Sequence, residues 1–230
     1  MKNDRFIAAV QQLKSSESSP IRITNEDGNS IAFLQIAKAD RTDLNSWADD
    51  ISSWRNKHSH RFATQFVATP ENARSYLDNT IAQDDRAFFM IVNSAGDRLG
   101  HFGFKQTSGT EAELDNLIRS DVPADSSLTF HVEITLLMIL FTACGIQNTQ
   151  VYVLKDNRPA YGLHRLCGFK KTKEVGVKRV ENGGTVQLVE DETATLENAE
   201  NSFVYLNLER DKFLQSRASW LAARFAKDIA

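Results

Sequence analysis

The stretch DNRPAYGLHRLCGF, residues 156–169, decides how this chain is read. Asp156 or Asn157 offers a side-chain oxygen that can cap a helix by accepting first-turn N–H bonds. Pro159 follows among positions whose N–H groups have no intrahelical partner, so the ring removes nothing the helix needs. Ala160, Leu163 and Cys167 recur at spacings of 3 and 4, which makes one apolar stripe. Gly168 suits the left-handed position that closes a helix, and Phe169 is expected to fold back onto Leu163. Capping, packing and closure account for all of these residues. They leave out His164, which lies at the edge of the stripe.

Outward from this helix, TQVYVLK (149–155) reads as a strand, rich in β-branched and aromatic residues. Before it, LTFHVEITLLMILFTACG (128–145) reads as one helix buried on most sides. It contains His131 and Glu133 and falls short of the ~20 apolar residues needed to cross a bilayer. RAFFMIV (86–92), RLGHFGFKQ (98–106) and AELDNLIRS (112–120) form a three-strand meander. The strands at 112 and 149 are joined through a helix, so they are expected to be parallel neighbours with a right-handed crossover.

Towards the N-terminus, IRITNEDGNSIAFLQIA (21–37) reads as a hairpin around Asp27-Gly28. Leu44, Trp47, Ile51 and Trp54 form a helical stripe within residues 43–57. Thr69 and Pro70 open another helix, as N-cap and first helical residue, that runs to about Ile81. The turn-rich KSSESSP (14–20) divides an N-terminal helix and linker, residues 1–20, from a main domain over 21–208.

Towards the C-terminus, Asn182-Gly183-Gly184 turns one strand into the next. EDETATLENAEN (190–201) holds five acids and no basic residue, and reads as a solvated loop. SFVYLNLE (202–209) is a last strand. Residues 209–230 form an amphipathic helix with Leu214, Ala218, Leu221 and Phe225 in line, to pack on the same domain or on a dimer mate.

The chain of 230 residues is 41% hydrophobic and 25% charged, enough to bury a real core. The 27 basic and 30 acidic residues leave a formal charge of −3 without a Lys/Arg-rich run, which argues against nucleic acid as a partner. The N-terminal apolar run is broken by Gln11, Gln12 and Lys14, so it does not read as a signal peptide. Cys144 and Cys167 lie in apolar surroundings, as buried thiols of a reducing compartment do. A cytoplasmic protein without a membrane segment is expected. Neither CxxC nor HExxH occurs, so no metal is expected.

Several side chains carry chemistry on their own account. Glu113, Asp115 and Leu117 share one face of a strand. A carboxylate there is costly unless hydrogen-bonded or open to a cleft, which makes Glu113 or Asp115 a candidate general base. The alternative is a salt-bridged strand-end carboxylate. His101 on the adjacent strand either lines the same cleft or is a structural histidine. His58, His60 and Arg61 form a basic cluster suited to an acidic acceptor such as a phosphorylated sugar, or else a solvated loop.

The pattern N-x-x-A-x-x-L-[Y/H]-x-x-x-G-F after a strand is met here by Asn157, Ala160, Leu163, His164, Gly168 and Phe169. It resembles the signature of the GNAT superfamily of N-acetyltransferases, and the element order from about 21 to 208 resembles that fold. Trp54, Arg55 and Asn56, ahead of a polar loop, are similar to the acceptor-side loop of bacterial members. The resemblance implies an α/β (α+β) fold: a central mixed, mostly antiparallel sheet, helices on both faces, and splayed parallel strands in the middle.

It also implies acetyl transfer from acetyl-CoA to a primary amine of a small molecule, by direct attack in a ternary complex. An amino sugar, free or nucleotide-linked, is the acceptor class to test first. In that setting pantetheine lies in the gap against Leu117 and Ile118, and pyrophosphate sits at the helix start formed by Ser126, Ser127, Leu128 and Thr129. Asn157 and Ala160 flank the pantetheine. Trp54, Arg55, His58, His60, Arg61 and His101 lie on the acceptor side, and His164 protonates the departing thiolate. The family's phosphate loop carries glycine, whereas ADSSLT (124–129) has none and Asp121 and Asp125 stand nearby. That departure leaves open a degenerate binding module, or a different acyl donor.

Overall fold

Alternating and continuous apolar runs assemble into one sheet in the computed structural model, which describes residues 3–191, 193, 196, 199 and 201–217. In chain order its elements begin with helix α1 (Asp4–Lys14), the hairpin β1 (Ile21–Thr24) and β2 (Ser30–Ile36), and α2 (Leu44–Lys57). Then come the short β3 (Thr64–Gln65), α3 (Pro70–Ala82), and the meander β4 (Arg86–Val92), β5 (Arg98–Gln106) and β6 (Glu111–Arg119). Helix α4 (Leu128–Met138), β7 (Asn148–Leu154) and α5 (Arg158–Cys167) follow, then β8 (Lys170–Asn182), β9 (Thr185–Glu190) and β10 (Asn201–Glu209). The strand order is β1-β2-β4-β5-β6-β7-β10-β8-β9-β3, antiparallel throughout except for β6 with β7. Residues 218–230 of the expected C-terminal helix lie outside the described residues; 210–217 are helical. So do 192, 194, 195, 197, 198 and 200 of the acidic stretch.

β4 and β5 are buried on both faces because both are covered. Ala87, Phe89 and Ile91 of β4 join the core shared with α1 and α4, while Phe88, Met90 and Val92 join Trp47 and Leu77 of α2 and α3. Helix α1 belongs to the first of these cores. Phe6 and Val10 are fully buried, and Phe6 meets Phe104 edge-on at 5.8 Å. Asn3 caps the helix, and Lys14 Nζ donates to the Thr80 and Ile81 carbonyls at 2.8 and 3.2 Å, closing the end of α3.

The greasy helix differs from its sequence reading. Regular α-helix stops at Met138, and Ile139–Ala143 continue as a π-turn with Cys144 N–H bonded to the Ile139 carbonyl at 3.0 Å. The carbonyls this wider turn frees are taken by Arg5, which donates to Thr142 and, at 3.0 Å through Nε, to Ala143. The chain then reverses at Gly145, where φ is 71° and a Cβ would meet Arg5 at 2.8 Å.

β6 is bent in its middle. Between the pairs His101↔Ile118 and Gly103↔Asp115 the register shifts, so two β6 residues oppose one on β5. This is a β-bulge. Asn116 sits in it at φ 58°, a left-handed conformation that Asn tolerates better than most residues. Its Nδ2 donates to Tyr76 Oη at 2.7 Å, and its carbonyl accepts from His101 Nδ1 at 2.6 Å. β6 and β7 pair only through Glu111↔Asn148, Ala112↔Thr149 and Glu113↔Gln150. Beyond Glu113 the two strands part.

If α1 is integral to the fold, Phe6→Ala costs about 3–5 kcal/mol, as large-to-small changes at buried aromatics do. Thermal denaturation should then show Tm lowered by roughly 6–20 °C. An unchanged Tm would mean that the first helix contributes no packing.

Candidate active site

The parting strands open a cavity of ≈140 Å³. Leu114, Asp115 and Leu117 of β6 wall one side, Val151 and Val153 of β7 the other, and Asn157, Ala160 and His164 of α5 close one end. A second, larger cavity of ≈530 Å³ shares Arg61, Leu117, Asn157 and Ala160 with the first. It runs between the starts of α4 and α5 and is also lined by His58, Ile118, Arg119, Ser126 and Thr129.

Helix α5 is built as its sequence dictates. Asn157 Oδ1 accepts from Ala160 N–H at 3.4 Å, Pro159 occupies the first turn, and Gly168 closes the helix at φ 106°. Phe169 donates its N–H to the His164 carbonyl at 3.0 Å, and its ring meets the imidazole of His164 edge-on at 5.6 Å. Phe169 belongs to the buried core against which Leu163 also packs.

His164 is buried, and its Nδ1 lies 2.8 Å from Oε1 of Glu133, which is fully buried on α4. With Nδ1 engaged, Nε2 is the ring nitrogen left for a group in the cavity. Sequence reading missed Glu133, although a signal was present. A carboxylate in the middle of the greasiest helix is too costly to bury without a partner. Cys167 lies beside this pair, and burial, then the Glu133 carboxylate, push its thiol well above the ordinary range.

The two strand carboxylates face the same cavity and share a lysine. Lys105 Nζ is 2.9 Å from Glu113 Oε1 and 3.9 Å from Asp115 Oδ2. Burial raises the Glu113 pKa, against the pull of Lys105. Tyr152 opposite is raised as well, by burial and then by Glu113.

The helix start at 124–129 divides the residues expected there. Ser126 and Thr129 line the larger cavity. Ser127 does not: its N–H and Oγ are bonded to Asp125 Oδ1 at 2.7 and 2.6 Å. Leu128 is buried, and its N–H is bonded to the Asp125 carbonyl at 3.1 Å. These two amides are spent within the turn, so the site at this end is narrower than the sequence pattern implies. The side-chain and backbone bonds from Ser127 hold the Asp125 carboxyl below its usual range. Asp121 is ion-paired with Lys57, so Arg61 and Arg119 give the cavity rim a positive balance.

A third cavity of ≈200 Å³ lies between α2, α3 and the sheet, lined by Ile51, Arg55, Phe66, Tyr76, Phe88, His101 and Asn116. Arg55 lies over the Phe62 ring at 3.5 Å and donates to the Thr64 carbonyl at 2.9 Å. Trp54 stacks on His101 at 6.0 Å and lines none of the three cavities. His60 also lies off these linings, on an exposed turn, and His58 reaches only the larger cavity. Burial and the neighbouring Arg61 pull His58 below its usual pKa. Among the described residues, no group of three His, Cys, Asp or Glu side chains is arranged to hold a metal. No helix among them is long and apolar enough to cross a membrane.

A sheet split between two parallel strands, with a capped helix at the mouth of the gap, defines a class. The chain has the GNAT acetyltransferase fold. It is similar to spermidine N-acetyltransferase from Vibrio cholerae, solved with CoA and spermine, at 14% identity and a TM-score of 0.60, over 79% of this chain and 98% of that one. A probable GNAT-family acetyltransferase from Chromobacterium violaceum superposes with a TM-score of 0.60 at 13% identity, over 86% and 94%. FdhC, a nucleotide-linked sugar GNAT, gives 0.62 at 10%, over 88% and 98%. No protein-family model and no curated protein matches the sequence.

His101 provides a test of burial in the third cavity. Burial pulls its pKa down to about 3 from 6.5, so the folded state keeps it neutral. Stability from this residue is complete above pH 6.5 and is lost as pH falls towards 3. Between pH 6.5 and 4.5 the loss is roughly 2–3 kcal/mol. His101→Gln should therefore show a smaller drop in Tm between pH 7 and pH 4.5 than the wild type. An equal drop would mean that His101 takes up its proton freely in the folded state.

Proposed function

We propose that the chain is an N-acetyltransferase that moves an acetyl group from acetyl-CoA to a primary amine of a small molecule. The observation that carries this reading is the cavity between β6 and β7, open beyond Glu113 and closed by His164. Parted strands offer unpaired backbone to a pantetheine arm, a form of strand addition. Leu117 and Ile118 would meet the arm from β6, with Asn157 and Ala160 facing it from α5. Ser126 and Thr129 at the start of α4, with Arg61 and Arg119 on the rim, suit a pyrophosphate.

In this reading the amine attacks the thioester carbonyl after losing a proton to a carboxylate or to a water chain ending on one. Glu113 and Asp115 both face the gap, and burial favours proton uptake at Glu113. The sulfur departs more easily when protonated, and His164 is the donor at the gap's end. The acceptor enters from the side of Arg61, Arg55 and His101, where cationic and apolar groups suit an amine borne on a phosphorylated or nucleotide-linked sugar. FdhC, which superposes on this chain, is a nucleotide-linked sugar GNAT.

One observation favours a second reading, a binding module without turnover. Asp125 already occupies the Ser127 amide that a phosphate would otherwise take. The two readings part in one experiment. Acetyl-CoA should raise Tm, because a ligand that binds only the folded state shifts unfolding. An amine panel that includes nucleotide-linked amino sugars should then release CoA in a thiol assay. A thermal shift without release supports the module, and no shift at millimolar ligand contradicts both.

His164→Gln should lower kcat by ~100-fold or more, in the range ascribed to a positioned acid or base. The KM for acetyl-CoA should stay within a factor of two. Unchanged kcat would remove His164 from the chemistry.

A further inference from the structure

The residue the sequence reading left out is the one that governs His164. We infer that Glu133 is a positioning residue: it holds a proton on His164 Nδ1 and makes Nε2 the only ring nitrogen that exchanges protons with the cavity. This rests on the acetyl-transfer reading for its use, but not for its geometry.

The geometry leaves little choice. Glu133 sits on α4 with no exposed surface, and its Oε1 is 2.8 Å from His164 Nδ1. The helix around it is mostly Leu, Ile, Val and Phe, with buried His131 two residues before it, so the carboxylate is not there for solubility. A carboxylate only accepts hydrogen bonds, so while Glu133 is ionised the proton between the two lies on Nδ1. The other groups facing this pair are few. Cys167 of α5 lies beside Glu133, and Arg217, after β10, acts on Cys167. Glu113, Asp115, Arg61 and Tyr152 line the same cavity as His164. Among these, only Glu133 is hydrogen-bonded to the imidazole.

The proton balance of acetyl transfer then closes at one atom. The amine lone pair forms the C–N bond and the carbonyl π pair moves onto oxygen. As the carbonyl re-forms, the C–S bond breaks and its pair stays on sulfur. Nε2–H of the imidazolium passes its proton to that sulfur, leaving a neutral ring with the proton on Nδ1 and a bare Nε2. The proton lost by the acceptor nitrogen reloads Nε2, either directly or through Glu113 or Asp115. Counted from the neutral amine, no proton is gained or lost in the cycle and no other reactant is needed; the proton an ammonium gives up beforehand leaves to water through Glu113 or Asp115. Glu133 takes part only by fixing which nitrogen does this, as a buried carboxylate orients the histidine of a hydrolase triad.

The test has two arms. With imidazole-15N histidine in the full chain, NMR reads the tautomer of neutral His164 directly. The expected result is an Nδ1–H tautomer in the wild type, lost or mixed in Glu133→Gln, whose amide can donate as well as accept. An Nε2–H tautomer in the wild type would overturn the inference, since Glu133 would then be the protonated partner. This arm needs no turnover, so it stands even if no amine in the panel is acetylated.

In the kinetic arm, Glu133→Gln should lower kcat by ~100-fold or more while KM for acetyl-CoA stays within a factor of two. Glu133→Asp, which keeps the charge on a shorter arm, should recover part of the loss. A Gln variant with wild-type kcat overturns the inference, as does an Asp variant no better than Gln when both melt and bind CoA like the wild type. A wild type that neither shifts with CoA nor releases it fails the functional reading instead, and thermal denaturation with CoA tells the two failures apart.

Discussion

The rest of the structure depends on where one ladder stops. β6 and β7 are hydrogen-bonded neighbours for three residue pairs and then separate. A buried strand edge without partners is expensive, because each unpaired N–H or C=O loses water and gains nothing. The fold carries that cost by turning β6 away with a bulge at Asn116 and by using β10, not β6, to pair the full length of β7. The gap is therefore a built feature, held open by pairing on both flanks.

Everything near the gap is arranged around this separation. The bulge is secured from the α2–α3 side, by Tyr76 on the Asn116 amide and His101 on its carbonyl. Because that carbonyl can only accept, His101 Nδ1 carries the proton, and burial keeps the ring neutral. From the other side α5 brings Asn157, Ala160 and His164 to the opening, and α4 supplies Glu133 behind His164. The two helical layers thus meet the gap from opposite faces of the sheet. One carries the histidine–glutamate pair. The other presents aromatic and cationic groups together with the strand carboxylates.

Much of this was legible in the sequence because it is local. Asn157, Pro159 and Gly168 punctuate α5 through backbone rules that hold whatever surrounds them. Thr69 and Pro70 do the same for α3. The parallel pairing of β6 and β7 followed from a helical connection between two strands. What was not legible depends on distant partners. Asn116 inside AELDNLIRS looks like an ordinary strand residue until Tyr76 and His101 are beside it. The π-turn at 139–143 exists with Arg5 on its carbonyls, a residue from the other end of the chain. Ser127 and Leu128 were grouped with Ser126 and Thr129 by the family resemblance, and only the Asp125 turn separates them. Glu133 was visible as a charge in a greasy helix, but nothing local named His164 as its partner.

The central claim is that the parted strands receive the cofactor arm, and hydrogen exchange of the β6 backbone tests it most directly. Amide exchange at Leu117, whose N–H points away from β5, should slow by ~10-fold or more when CoA is added. Amides of the β5–β6 ladder at Glu113 and Asp115 should change little. Binding of CoA that leaves Leu117 exchanging as before would contradict the account, since the ligand would then sit somewhere other than the gap.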